Sequence, residues 1–170
     1  MKKISVQMIV YLGLLIALEI VLSRFLSINA WNLRIGFSFV PIAVAAMLFG
    51  PIPAGIVAAV ADVLGATLIP TGPFFPGFTL TAFLTGAALG IFLYPKQAPV
   101  RILFAVATNQ LILSLLLNSF WISVLYGSPF LPLLGTRVIQ TAILIPVQFV
   151  VIGLISQALV RMKKVIAWLA

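Results

Sequence analysis

The chain has 170 residues, of which 64% are hydrophobic and 7% charged, with a mean hydropathy of +1.31. Soluble domains run near about 45–50% apolar and about 25% charged, so this composition excludes a water-solvated globule, and the low charge excludes disorder. The absence of Cys and His removes disulfide scaffolds, the usual zinc sites and imidazole proton relays. Ten Lys and Arg against two acids give a net charge of +8. The basic residues are thinly spread at the ends of apolar segments, where topology-setting charge beside anionic headgroups explains them better than nucleic acid does.

A membrane-crossing helix needs about 20 predominantly apolar residues. Six segments qualify, at about 5–26, 35–49, 52–69, 78–94, 102–126 and 136–160, within one transmembrane domain over residues 1–170. Their apolar runs are continuous rather than alternating, which disfavours a β-barrel and makes the fold class all-α and polytopic.

The first span follows Lys2-Lys3, as a signal peptide would, but its apolar run is longer than a signal core and Ile28-Asn29-Ala30 is a poor cleavage site. It is read as a retained helix. Gly13 and Ala17 give it a small-xxx-small spacing that lets another helix approach closely. Glu19 and Arg24 follow on the same segment. The second span is short, and Gly50-Pro51-Ile52-Pro53 separates it sharply from the third. Asp62 lies in the third span, about 10 Å from its end.

The stretch from Pro70 to Thr79 then places three Pro, two Gly and three Phe in one hydrophobic turn. Backbone so restrained must be buried in protein or line a cavity at membrane depth, so this segment is expected to form a lid or pocket wall, with a plain connector as the competing reading. The fifth span carries Asn109, Gln110, Ser114, Asn118 and Trp121, and the sixth begins near Arg137 and continues to Gln140. Ser114, Asn118 and Trp121 share one helix face at spacings of four and three. Such polar groups can also bond neighbouring helices and nothing else.

Seven basic residues (Lys2, Lys3, Lys96, Arg101, Arg161, Lys163 and Lys164) fall on one side of the expected membrane, and Arg24, Arg34 and Arg137 on the other. The positive-inside rule therefore predicts both termini in the cytoplasm. The connections near 27–34, 70–77 and 127–135 then face outward. Intramembrane ionisable groups usually face a cavity or each other, although arginines near span ends can snorkel to headgroups. Three arginines converging with aromatics on one vestibule predict an anionic ligand, since Arg grips a carboxylate through a bidentate fork. No phosphate-binding loop, zinc-protease signature or nucleophile elbow occurs, so an enzyme is not expected. No inverted repeat is evident, which weakens the case for a self-contained secondary transporter.

Arg34-Ile35-Gly36-Phe37-Ser38-Phe39-Val40-Pro41-Ile42, followed by Met47-Leu48-Phe49-Gly50-Pro51, resembles the substrate-binding (S) component of energy-coupling-factor (ECF) vitamin transporters. Asp62-Val63-Leu64-Gly65-Ala66 with the Pro70–Thr79 stretch is similar to the folate-specific members. The resemblance implies six helices, an outward vitamin pocket, no cofactor and no enzymatic activity. It implies as partners a transmembrane coupling (T) subunit and two cytoplasmic ATPases, with the S component reorienting in the bacterial cell membrane. The first-helix docking motif of that family falls on Gly13 and Ala17, with Gly in place of the commoner Ala.

For folate, the candidate contacts are Arg24, Arg34, Asp62, Thr71, Gly72, Phe74, Phe75, Asn118, Trp121 and Arg137. One or more of the arginines would pair with the glutamate carboxylates, and Phe74, Phe75 and Trp121 would enclose the rings. Asp62, with Glu19 second, would accept from the 2-amino and N3–H edge of the pterin; the competing reading is an Asp62–Arg ion pair. An S component for riboflavin or thiamin, or a stand-alone ion-coupled transporter using Asp62 and Glu19, remain as alternatives.

Overall fold

The computed structural model describes residues 6–30, 33–70, 72–94 and 96–169. Helix α1 (Val6–Arg24) is followed by a hairpin of β1 (Ser27–Ala30) and β2 (Leu33–Gly36), then by α2 (Phe39–Phe49), α3 (Pro51–Leu68) and α4 (Pro76–Leu93). The next membrane-length helix runs from Pro99 to Tyr126 in three sections: α5 (Pro99–Ala107), a π-helical segment (Thr108–Leu117) and α6 (Asn118–Tyr126). The last, α7 (Phe130–Leu169), continues through Pro146 and is apolar enough to span over Phe130–Arg161.

Five helices are long and apolar enough to cross a membrane, and α2 is a shorter apolar sixth. At 1.5 Å per residue α2 covers roughly 17 Å, about half of a hydrocarbon core near 30 Å. The hairpin precedes it in the chain. This departs from the expected second span, which began at residue 35: the chain there is extended, with Ile28 opposite Ile35 and Asn29 opposite Arg34. β-Branched side chains favour that pleated pairing. Gly36 permits its close end, since a Cβ there would lie 2.6 Å from that of Ser27.

The break between α2 and α3 has a specific cause. Gly50 has φ 93° and ψ −171°, a conformation open essentially to glycine alone, and Pro51 starts α3 with the dihedral a first helical turn needs. The core is built from small side chains: Ala43, Ala45, Ala46, Ala54 and Ala58 are at most 1% exposed. On α4, Gly86 faces the Ala54 carbonyl and Gly90 faces Pro51, with no room for a Cβ at either position. Small residues let membrane helices approach to backbone contact, and α3 and α4 form the tightest pair in the bundle for that reason.

Helix α1 is attached more lightly. It buries only Leu15, Glu19 and Ser23, one narrow stripe at four-residue spacing. Gly13 and Ala17 lie about 200° around the helix from Leu15 and Glu19 and are exposed.

Candidate functional site

A slot of about 170 Å³ lies among the hairpin, α2, α4, the π-helical segment, α6 and α7. Gly36 and Ser38 line it at the hairpin end, Phe39 and Ile42 of α2 and Thr85 of α4 line one side, and the π-helical segment, α6 and α7 line the other. On α7 it runs along Arg137, Gln140, Leu144 and Gln148, one face of the helix. Those eleven residues of separation correspond to roughly 16 Å. Its length suits an elongated ligand.

The slot contains one cation and no acid among its lining residues. Arg137 is 6% exposed; its Nη2 donates to the Ser114 carbonyl at 3.1 Å, and its Nε is buried without a partner. Further along, Thr85 Oγ1 donates to Asn109 Oδ1 at 3.1 Å, and Asn109 Nδ2 donates to Gln148 Oε1 at 3.3 Å. Gln110 Oε1 and Asn118 Oδ1 are also buried with no hydrogen-bond partner. Buried polar atoms are nearly always paired, so this cluster is equipped for a polar partner from outside. The π-helical segment explains how so many reach the slot. Its hydrogen bonds run to the fifth residue, which widens the turn, and the lining positions 109–110, 114 and 118 recur at four to five residues.

An aromatic wall stands next to Asn118. The Trp121 ring lies 5.6 Å from Phe75 and 5.0 Å from Phe120, and Phe75 lies 5.9 Å from Phe78. Trp121 Nε1 donates to Thr81 Oγ1 at 3.1 Å, which donates in turn to the Gly77 carbonyl at 3.0 Å. A Cβ at Gly77 would meet Trp121 Cδ2 at 2.6 Å, so this glycine lets the indole lie against α4.

The remaining candidate residues are distributed around this centre. Asp62 Oδ2 accepts from Thr79 Oγ1 at 2.8 Å, a bond that ties α3 to the first turn of α4. Asp62 is not among the residues lining the slot. Arg24 lays its guanidinium over α3, where a Cβ at Gly65 would come within 2.7 Å of Nε. Phe74 is half exposed and Gly72 exposed, on the loop leading into α4. Arg34 stands in β2, but its side chain, like the whole of Thr71, lies outside the described residues. The structure thus brings Asn118 and Arg137 together in the slot and Phe75 and Trp121 together beside it. Among the described residues no cluster of acids could hold a metal ion.

The family model for the ECF transporter substrate-specific component matches residues 7–156. The chain belongs to that family. This S component is therefore a transporter subunit, not an enzyme, and its apolar helices are those of a multi-pass membrane protein. It is 44% identical over 153 residues to the folate transporter FolT of Clostridium novyi, covering 89% of this chain and 88% of that one. FolT of Leuconostoc mesenteroides is 36% identical, with 86% and 82% covered. A crystal structure of FolT bound with folic acid matches with a TM-score of 0.86 at 36% identity, over 91% of this chain and 95% of the other. The S component of a bacterial ECF transporter matches with a TM-score of 0.52 at 25% identity, over 94% and 96%.

Sequence reasoning named Asn118 and Arg137 but passed over Ser38, Thr85 and Gln148 as slot residues, and treated Asn109, Gln110 and Gln140 only as polar positions. A signal was present on α7: Arg137, Gln140, Thr141 and Gln148 fall on one face, the residues between them are apolar, and all four are buried.

Proposed function

We propose that this S component captures folate at the outer face of the bacterial cell membrane and delivers it inward by reorienting in the bilayer. A T subunit and two cytoplasmic ATPases supply the energy. The observation that carries the reading is the acid-free slot around Arg137, in a chain similar throughout to FolT. Folate is long, flat and anionic; the slot follows α7 for roughly 16 Å and carries a cation. At about 170 Å³ it is smaller than the roughly 300–1,000 Å³ of a typical ligand pocket, so this reading requires the walls to part as the ligand enters.

In this reading Phe75 and Trp121 flank the rings, and Asn118 and Arg137 hold polar groups of the ligand inside the slot. Arg24, Arg34, Thr71, Gly72 and Phe74 form the outer approach, where the arginines meet the glutamate carboxylates. Asp62 braces the first turn of α4 through Thr79. Both termini and the 94–99 connection face the cytoplasm, on the charge asymmetry of the sequence.

Calorimetric titration of the detergent-purified chain with folic acid, thiamin and riboflavin tests the ligand. Near-stoichiometric binding of folic acid alone, without ATP or partner subunits, is expected. Binding of thiamin or riboflavin in its place would keep the family and overturn folate.

A further inference from the structure

The carboxamides lining the slot are not equivalent. Asn109 accepts from Thr85 and donates to Gln148, so these two are committed to each other. Gln110, the next residue, is 3% exposed, lines the slot, and has its Oε1 buried with no partner. An unpaired buried acceptor destabilises the ligand-free protein, and its retention calls for a partner that arrives from outside. The π-helical turn is what brings Asn109 and Gln110 to the slot side by side, and π-helical turns concentrate at functional sites.

The type of partner follows from the slot's chemistry. With Arg137 present and no carboxylate, a ligand N–H entering the slot meets only neutral acceptors. An amide oxygen accepts from a neutral N–H and does not demand a cation. On folate the matching group is the 2-amino and N3–H edge of the pterin. Asn118 Oδ1, another unpaired amide oxygen, lies about two turns nearer the hairpin end.

We infer that Gln110 is the specificity-determining acceptor of the slot, taking a hydrogen bond through Oε1 from the 2-amino–N3–H edge of the pterin. The inference rests on the folate reading above. It moves pterin recognition from Asp62, whose Oδ2 is held by Thr79, to the π-helical segment.

The test is titration of the full chain in detergent with folic acid and with a folate analogue carrying methyl in place of the 2-amino group. Wild type should prefer folic acid by about tenfold or more. Gln110→Met keeps the side-chain length without the acceptor; it and Gln110→Ala should bind the two ligands within about threefold of each other. Ligand-free Gln110→Met should unfold at the same or a higher temperature than wild type, because the unpaired acceptor is gone. A preference that persists in both variants, or is missing from wild type, overturns the role of Gln110. Failure of wild type to bind folic acid at all removes the folate reading and this inference with it.

Discussion

At the residue scale, Asp62 shows how an ionisable group in a membrane helix can serve the scaffold. Its Oδ2 accepts a hydrogen bond from the Thr79 hydroxyl across the α3–α4 seam. Asp62→Asn keeps an oxygen acceptor in place, so folate affinity should change by less than about threefold. Thr79→Val removes the donor and leaves a half-buried carboxylate oxygen unpaired, and should lower stability by about 1–3 kcal/mol, read as a fall in melting temperature. If Asp62 instead reads the pterin directly, Asp62→Asn weakens folate by more than tenfold while Thr79→Val leaves the melting temperature unchanged.

At the scale of elements, hydrophobic length predicted the helices within a few residues, because a bilayer imposes that length and little else competes with it. The second and last spans were exceptions: α7 begins at Phe130, six residues before the expected start, and takes up most of the expected 127–135 connection. Residues 33–36 are as apolar as a helix end, and hydropathy does not register that Ile28 and Ile35 pair across a hairpin. The π-helical segment was equally invisible to a helical period of 3.6, yet it decides which polar residues face the slot. Asn118 and Arg137 could be read because they are polar groups in apolar spans. Gln148 carries the same signal, but its part in the slot also depends on α7 packing against the π-helical segment and on a bond to Asn109. The Trp121–Phe75 contact likewise depends on Gly77, whose missing side chain matters only once α4 and α6 are side by side.

For the whole molecule, the bundle separates an interior that carries the slot from a lightly attached first helix. The Gly13–Ala17 face of α1 points away from the stripe that holds this helix, and a Cβ at Gly13 meets open space. That is the surface proposed to meet the T subunit. Gly13→Leu or Ala17→Leu should abolish co-purification with the coupling module while leaving folate affinity of the solitary chain within about twofold, since neither side chain enters the core. Assembly that survives both substitutions places the interface elsewhere.

The central claim is that folate occupies the slot around Arg137, and equilibrium titration of folic acid against wild type and Arg137→Met side by side tests it most directly. Loss of a buried charged donor from the site predicts binding weaker by roughly 10–100-fold in a variant that remains monodisperse. Equal affinity of the two proteins for folic acid would contradict the account and put the ligand elsewhere in the bundle.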